Sequence, residues 1–163
     1  MTTRLLGIVS LTCLSCIVQA QPNSQDEERE IRAVTELMLE IVSGVPGEEY
    51  DWETFRALFM PDVSLSAIFP DTTGGYNVYE VSVDDWITRA GPQYERSDFF
   101  ESADSTFILQ TGRIAQVWQY YHTYTSTGDT LSNGVNAYHM IKHNGRWKVA
   151  HLMWDDLTEK EGE

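Results

Sequence analysis

The sequence contains four histidines, and His122 and His139 are its strongest chemical candidates. An imidazole titrates near neutrality, so two of them in an apolar pocket could act as an acid/base pair. Each could equally be a core residue bonded to a backbone group or a tyrosine. Nearby in sequence or pattern stand Trp118, Tyr120, Tyr124 and Trp154. Such rings pack cores, and together they could also line a cavity for a flat or apolar ligand. A metal site finds less support. His139 and His143 are spaced for roughly 13 Å of separation on a strand, and His122, His139 and a carboxylate such as Asp62 would need to converge as a facial triad. Asp84-Asp85 and Asp155-Asp156 read as caps or solvated surface. There is no glycine-rich phosphate loop, Gly-x-Ser-x-Gly elbow, cysteine nucleophile or His-Glu-x-x-His motif, so the sequence calls for no metal and no cofactor.

These side chains need a scaffold, and 163 residues with 42% hydrophobic and 12% aromatic content supply one domain with a real core. Eleven basic residues against 25 acidic ones leave a net charge of −14. An acidic surface without a basic run repels phosphate backbones and anionic lipid, which argues against nucleic acid or a membrane surface as partner. The N-terminus carries Arg4, an apolar stretch from Leu5 to Val18, and Val18-Gln19-Ala20 as a small-residue cleavage site. This layout predicts a secretory signal peptide over residues 1–20, and the apolar stretch falls short of the ~20 residues of a spanning helix. The expected mature protein is exported, to the periplasm or the exterior. Both cysteines, Cys13 and Cys16, leave with the signal, so no disulfide is expected.

Ile31, Val34, Leu37, Met38, Ile41 and Val42 recur at helical spacing, and Ser43-Gly44-Val45-Pro46-Gly47 ends that helix. Asp51 can cap a short helix bearing Trp52, Phe55, Leu58 and Phe59. Ser82-x-x-Asp85 opens a third, closed by Gly91-Pro92. Strands are expected at Val63–Ile68, Tyr76–Val81, Phe99–Leu109, Ile114–Thr125, Val135–His143 and Arg146–Trp154. Asn144-Gly145 between two apolar runs predicts a tight hairpin. Helices first and a long curled sheet last make the class α+β.

Leu58-Phe59-Met60-Pro61-Asp62-Val63, Gly112-Arg113-Ile114-Ala115-Gln116-Val117-Trp118, Gly134-Val135-Asn136 and Gly145-Arg146-Trp147-Lys148-Val149-Ala150-His151 resemble the nuclear transport factor 2-like (SnoaL-like) superfamily. The resemblance spans about residues 27–156, within one domain of residues 21–163. It implies a cone: a curved mixed or antiparallel sheet wrapped around the long N-terminal helix and two short helices, with an apolar interior pocket and frequent dimerisation through the sheet. In its steroid-isomerase branch a pocket acid lies six residues before the first glycine of the last hairpin, the position of His139 here. A pocket-wall residue near the end of the final strand corresponds to Trp154, and parity then carries Ala150 and Leu152 inward. On the neighbouring strand Gln116, Trp118, Tyr120, His122 and Tyr124 would face in, with His122 roughly opposite His139. That branch's catalytic aspartate falls on Ala67, and no tyrosine occurs between Gln21 and Pro46, so its mechanism does not transfer.

Dehydratases of the superfamily place two histidines and orienting tyrosines in the pocket, so the resemblance implies His122 and His139 as catalytic candidates. The implied ligand contacts are Trp118, Tyr120, Tyr124, Ala150, Leu152 and Trp154. The expected function is a pocket for a small apolar or aromatic molecule, with proton-transfer chemistry of dehydratase, isomerase or cyclase type. The alternative is a non-catalytic carrier, sensor or dimerisation module on the same fold. A homodimer is expected in either case.

Overall fold

A computed structural model describes residues 24–157. The expected signal segment, residues 1–20, and the charged tail from Thr158 lie outside the described residues. The amphipathic repeat forms helix α1, Ser24–Ile41, which buries Ile31, Thr35, Met38 and Leu39 and exposes Glu28, Glu36 and Glu40. Helix α2, Trp52–Ala57, is capped by Asp51, whose side chain accepts from the Thr54 N–H at 2.9 Å. Helix α3, Val83–Tyr94, is capped in the same way by Ser82 on the Asp85 N–H at 3.1 Å. The closure expected at Gly91-Pro92 does not occur, because α3 runs through Pro92 to Tyr94. Pro92 sits in the last turn, and the Tyr94 ring, packed on Trp52, Trp86 and Phe99, holds that turn in place. Among the described residues no helix is long and apolar enough to cross a membrane.

The strands are β1 (Ser64–Pro70), β2 (Tyr76–Ser82), β3 (Phe100–Thr111), β4 (Ile114–Tyr124), β5 (Thr130–His143) and β6 (Arg146–Asp156). They form one six-stranded sheet in the order β2-β1-β6-β5-β4-β3. β1 runs parallel to β6, and all other neighbours are antiparallel. The α+β cone expected from the sequence is therefore what the chain adopts, with an open, curved, mixed sheet around α1. Asn144 and Gly145 take φ of 49° and 78°, the two left-handed residues of the expected two-residue hairpin, and His143 faces Arg146.

Two features of the sheet depart from the expected register. Ala150 is an extra residue in β6: Met140 pairs with Val149 but His139 pairs with His151 and Ala137 with Met153, where a regular ladder from the tight hairpin would pair His139 with Ala150 and Ala137 with Leu152. Such a bulge reverses which face later residues point to, and it sharpens the twist. In addition, β5 starts at Thr130 rather than Val135, because the loop after β4 is only the short turn around Gly128. A second bulge at Asp104 bends β3 against β4.

The concave face carries Val117, Tyr138, Met140 and Val149, which pack with Ile31 and Met38 of α1 into the core. The N-terminal end of α1 is fastened by a buried carboxylate. Lys142 Nζ donates to both Glu27 carboxylate oxygens at 2.7 Å, and Trp147 Nε1 donates to Glu27 Oε2 at 2.7 Å. The Glu27 side chain is only 9% exposed. The bond from Lys142 is the main reason its carboxyl is held below the usual value. Glu27→Ala should lower the unfolding free energy in chemical denaturation by about 2 kcal/mol, because it strands the indole N–H and a half-buried ammonium. That contribution should be in place above pH 4.5, the ordinary carboxyl value, and fade as acid protonates Glu27 below it.

Candidate functional site

Between α1, α3 and the concave face lies a cavity of about 370 Å³. Met38, Leu39 and Val42 of α1 form one wall, and Trp86, Ala90 and Tyr94 of α3 another. The sheet supplies Leu65 and Phe69 from β1, Tyr121 and Thr123 from β4, Asn136 and Tyr138 from β5, and Leu152, Trp154 and Asp156 from β6. Rings dominate the lining: Trp86 stacks on Phe55 at 5.2 Å and meets Trp154 edge-on at 6.5 Å, and Trp154 meets Phe69 at 6.5 Å. The volume is that of an ordinary small-molecule site.

Glu101, near the start of β3, brings a carboxyl into this apolar space. Its position is set from two sides. The Glu101 N–H donates to Ser43 Oγ just beyond α1 at 2.9 Å, and its strand pairs with Thr123 of β4, which faces the cavity. Asn136 Nδ2 donates to Glu101 Oε1 at 3.2 Å. Burial raises the Glu101 carboxyl to about 7, and the Asn136 bond offsets only part of that rise. Burial, reinforced by the Glu101 charge, pushes the phenols of Tyr94, Tyr121 and Tyr138 above their usual value, so all three keep their protons. Tyr138 Oη donates to Gln119 Oε1 at 2.9 Å. Tyr121 lies directly over Gly134, where an added Cβ would come 2.4 Å from its hydroxyl oxygen and 2.5 Å from the Asp155 carbonyl oxygen. That close approach accounts for the glycine of the Gly134-Val135-Asn136 motif. The assembly is a carboxyl able to gain or lose a proton near neutrality, amid fixed hydroxyl and amide groups.

Of the residues expected at the site, Leu152 and Trp154 line the cavity. The inward placement of Trp118, Tyr120, Tyr124, His122, His139 and Ala150 is corrected: none borders the cavity. Gln116, Trp118 and Tyr120 face outward on β4, where Trp118 is 50% and Tyr120 42% exposed. His122 hydrogen-bonds through Nδ1 to Asp104 at 2.8 Å and stacks on Tyr124 at 5.2 Å. His139 lies beside His151, with ring centres 6.2 Å apart. The two histidines do not face each other, because His122 pairs with Asn133 and His139 with Gln116, about 20 Å apart along the strands. Ala150 is the bulged residue. Trp154 does point inward, but counting back from it by twos crosses the bulge at Ala150, and the position that the resemblance assigned to His139 lies on the face of β5 opposite Tyr138 and Met140, which pack in the core. No cluster of three His, Cys, Asp or Glu side chains that could hold a metal occurs among the described residues, and Asp62 is not joined to His122 and His139.

Glu101, Tyr121, Tyr138 and Asn136 went unrecognised in the sequence. The signal for three of them lay in the alternative alternation, Asn136, Tyr138 and Met140 on β5 with Ala115, Val117, Gln119, Tyr121 and Thr123 on β4. A lone Glu101 in an extended run gave none.

Solved structures share this architecture. A cystatin-like-fold protein of unknown function from Nostoc punctiforme matches with a TM-score of 0.65 at 12% identity, over 85% of this chain and 95% of that one. A candidate dehydratase of the NTF2-like family from Streptomyces avermitilis matches at 0.63 and 12% identity, over 84% and 100%. The association domain of Caenorhabditis elegans CaMKII matches at 0.54 and 19% identity, over 80% and 95%. No family model matches the sequence, and no curated protein matches it significantly. The fold is that of the nuclear transport factor 2-like proteins, as the sequence motifs implied.

Burial raises Glu101 from 4.5 to about 7, so the folded state binds its proton more tightly than the unfolded chain does. Its contribution to stability is complete below pH 4.5 and is lost as pH rises through about 7. Glu101→Gln should therefore match the parent protein in acid and exceed it by about 2 kcal/mol above neutrality. Denaturant melts across that range check the crossing.

Proposed function

We propose that the protein binds a small apolar or aromatic molecule in its interior cavity and that Glu101 exchanges a proton with it. The observation that carries this reading is the carboxyl raised to about 7 inside an aromatic-walled cavity of about 370 Å³. A general base works best with its pKa near working pH, and an apolar site removes competing water. Glu101 takes the part that the sequence suggested for His122 and His139, because its carboxyl lines the cavity and their imidazoles do not. Tyr121, Tyr94 and Asn136 are the orienting groups. The dehydratase, isomerase or cyclase class expected from the sequence stays the reaction class, and the candidate dehydratase among the structural relatives supports it. Neutral indole should shift the NMR signals of Trp86 and Trp154 in the parent protein and leave them unmoved in the cavity-filling variant Ala90→Trp. An unresponsive parent protein would end the reading. A Glu101 carboxyl carbon that titrates at 4.5 rather than near 7 would leave a carrier without proton transfer.

The outer face of the sheet supports a homodimer. Phe107, Leu109, Ile114, Trp118 and Tyr120 are 42–71% exposed. Phe107 pairs with Trp118, Trp118 with Ala137, and Ile114 with Ile141, so these side chains form one patch. Gln116, His139, His151 and Met153 continue it without a formal Asp, Glu, Lys or Arg charge. A chain with a net charge of −14 repels its own copy elsewhere, and this uncharged apolar face is where two copies can meet. The association domain among the structural relatives fits that use of the fold. Sedimentation should show a dimer at micromolar concentration, and Leu109→Glu with Trp118→Glu should yield folded monomers. A parent protein that stays monomeric at high micromolar concentration overturns it. Export is likewise proposed on the leader-like N-terminus, and an exported protein beginning at Gln21 is the expected product.

A further inference from the structure

The cavity's charge pattern is one-sided. Two carboxyls, Glu101 of β3 and Asp156 of β6, stand in its lining. The lining holds no lysine, arginine or histidine among the described residues. Glu101 receives one protein hydrogen bond at 3.2 Å, from the neutral amide of Asn136. Burying a carboxylate without a cation is costly, and an anion brought beside it costs more. The surrounding walls include the rings of Trp86, Trp154, Phe55 and Tyr94. Aromatic faces attract cations through their quadrupoles, most strongly where water is excluded. The long-range field has the same sign, since a net charge of −14 draws cations toward the protein and repels anions.

We propose that the cavity's ligand is an organic cation, an amine carried on an apolar or aromatic body, whose ammonium pairs with Glu101 while its body lies among the tryptophans. The inference rests on the reading of the cavity as a ligand site and specifies what enters it. A bound ammonium favours the ionised form of Glu101, which is the form a proton acceptor needs. The other titratable groups facing Glu101 do not compete for that role. The phenols of Tyr94, Tyr121 and Tyr138 stay neutral, and Asp156 is the other carboxyl in the lining. Affinity for the cation should therefore weaken as pH falls below about 7 and Glu101 takes up its proton.

Three indoles of nearly equal shape test this by calorimetry: tryptamine as cation, tryptophol as its neutral counterpart, and indole-3-acetate as anion. At about pH 8, where tryptamine is charged and Glu101 ionised, tryptamine should bind about tenfold tighter than tryptophol, with indole-3-acetate weakest. Glu101→Gln should bring tryptamine and tryptophol to similar affinities, with an unchanged circular dichroism spectrum as the control for folding. Acidification to about pH 5 should do the same in the parent protein. Tryptophol binding as tightly as tryptamine, or a preference that survives Glu101→Gln, overturns the inference and leaves the cavity a ligand site. Failure of all three indoles, together with an NMR spectrum unmoved by neutral indole, overturns the site and the inference together.

Discussion

The extra residue at Ala150 breaks the two-residue period of β6, and much of the molecule's geometry follows from that break. Before it, Trp147 and Val149 pack under α1; after it, Leu152, Trp154 and Asp156 turn to the same concave side. A regular strand would send one of these groups outward and open the core. The bulge also adds local twist, so the sheet can bend around a helix instead of lying flat against it. The bulge at Asp104 does the same for β3. Between these bends the sheet is deep enough to hold α1 and, beside the C-terminal end of that helix, the cavity.

The two ends treat buried charge differently. At the hairpin end, Glu27 is buried with Lys142 and the Trp147 indole N–H, and its ionised form is stabilised. At the open end, Glu101 is buried beside an amide and phenols, and its neutral form is favoured. Both are carboxyls on the same concave side. The first is a fastening whose partners are supplied by the chain. The second is given no cation by the cavity lining among the described residues, the contrast on which the proposed ligand reading rests.

The division between inside and outside is equally clear. Inward, aromatic rings surround a cavity. Outward, Phe107, Leu109, Ile114 and Trp118 form an uncharged surface on an otherwise acidic protein. The two faces of one sheet thus differ in character, and the alternation of strand side chains keeps them apart.

The cone was implied by the resemblance that the motifs carry, whereas the amino-acid sequence by itself determined the helices, the strand order of appearance and the Asn144-Gly145 hairpin. Those features rest on local signals: helical spacing in α1, the Asp51 and Ser82 caps, and a turn that demands positive φ. The ends of the elements were legible to within a few residues except where context overrode them, as in α3 beyond Pro92 and β5 before Val135. Which residues face the cavity was decided only by the tertiary structure. On β4 and β5 both alternating sets are rich in aromatic and apolar side chains, so composition does not distinguish a face that lines a pocket from one exposed outside. The bulge at Ala150 puts Trp154 out of step with a regular count along the hairpin, and His122 and His139 lie on the exterior while Tyr121, Tyr138 and Asn136 lie on the interior. Glu101 became a cavity group because α1, α3 and distant strands gather around it, a relation between segments that no local pattern records.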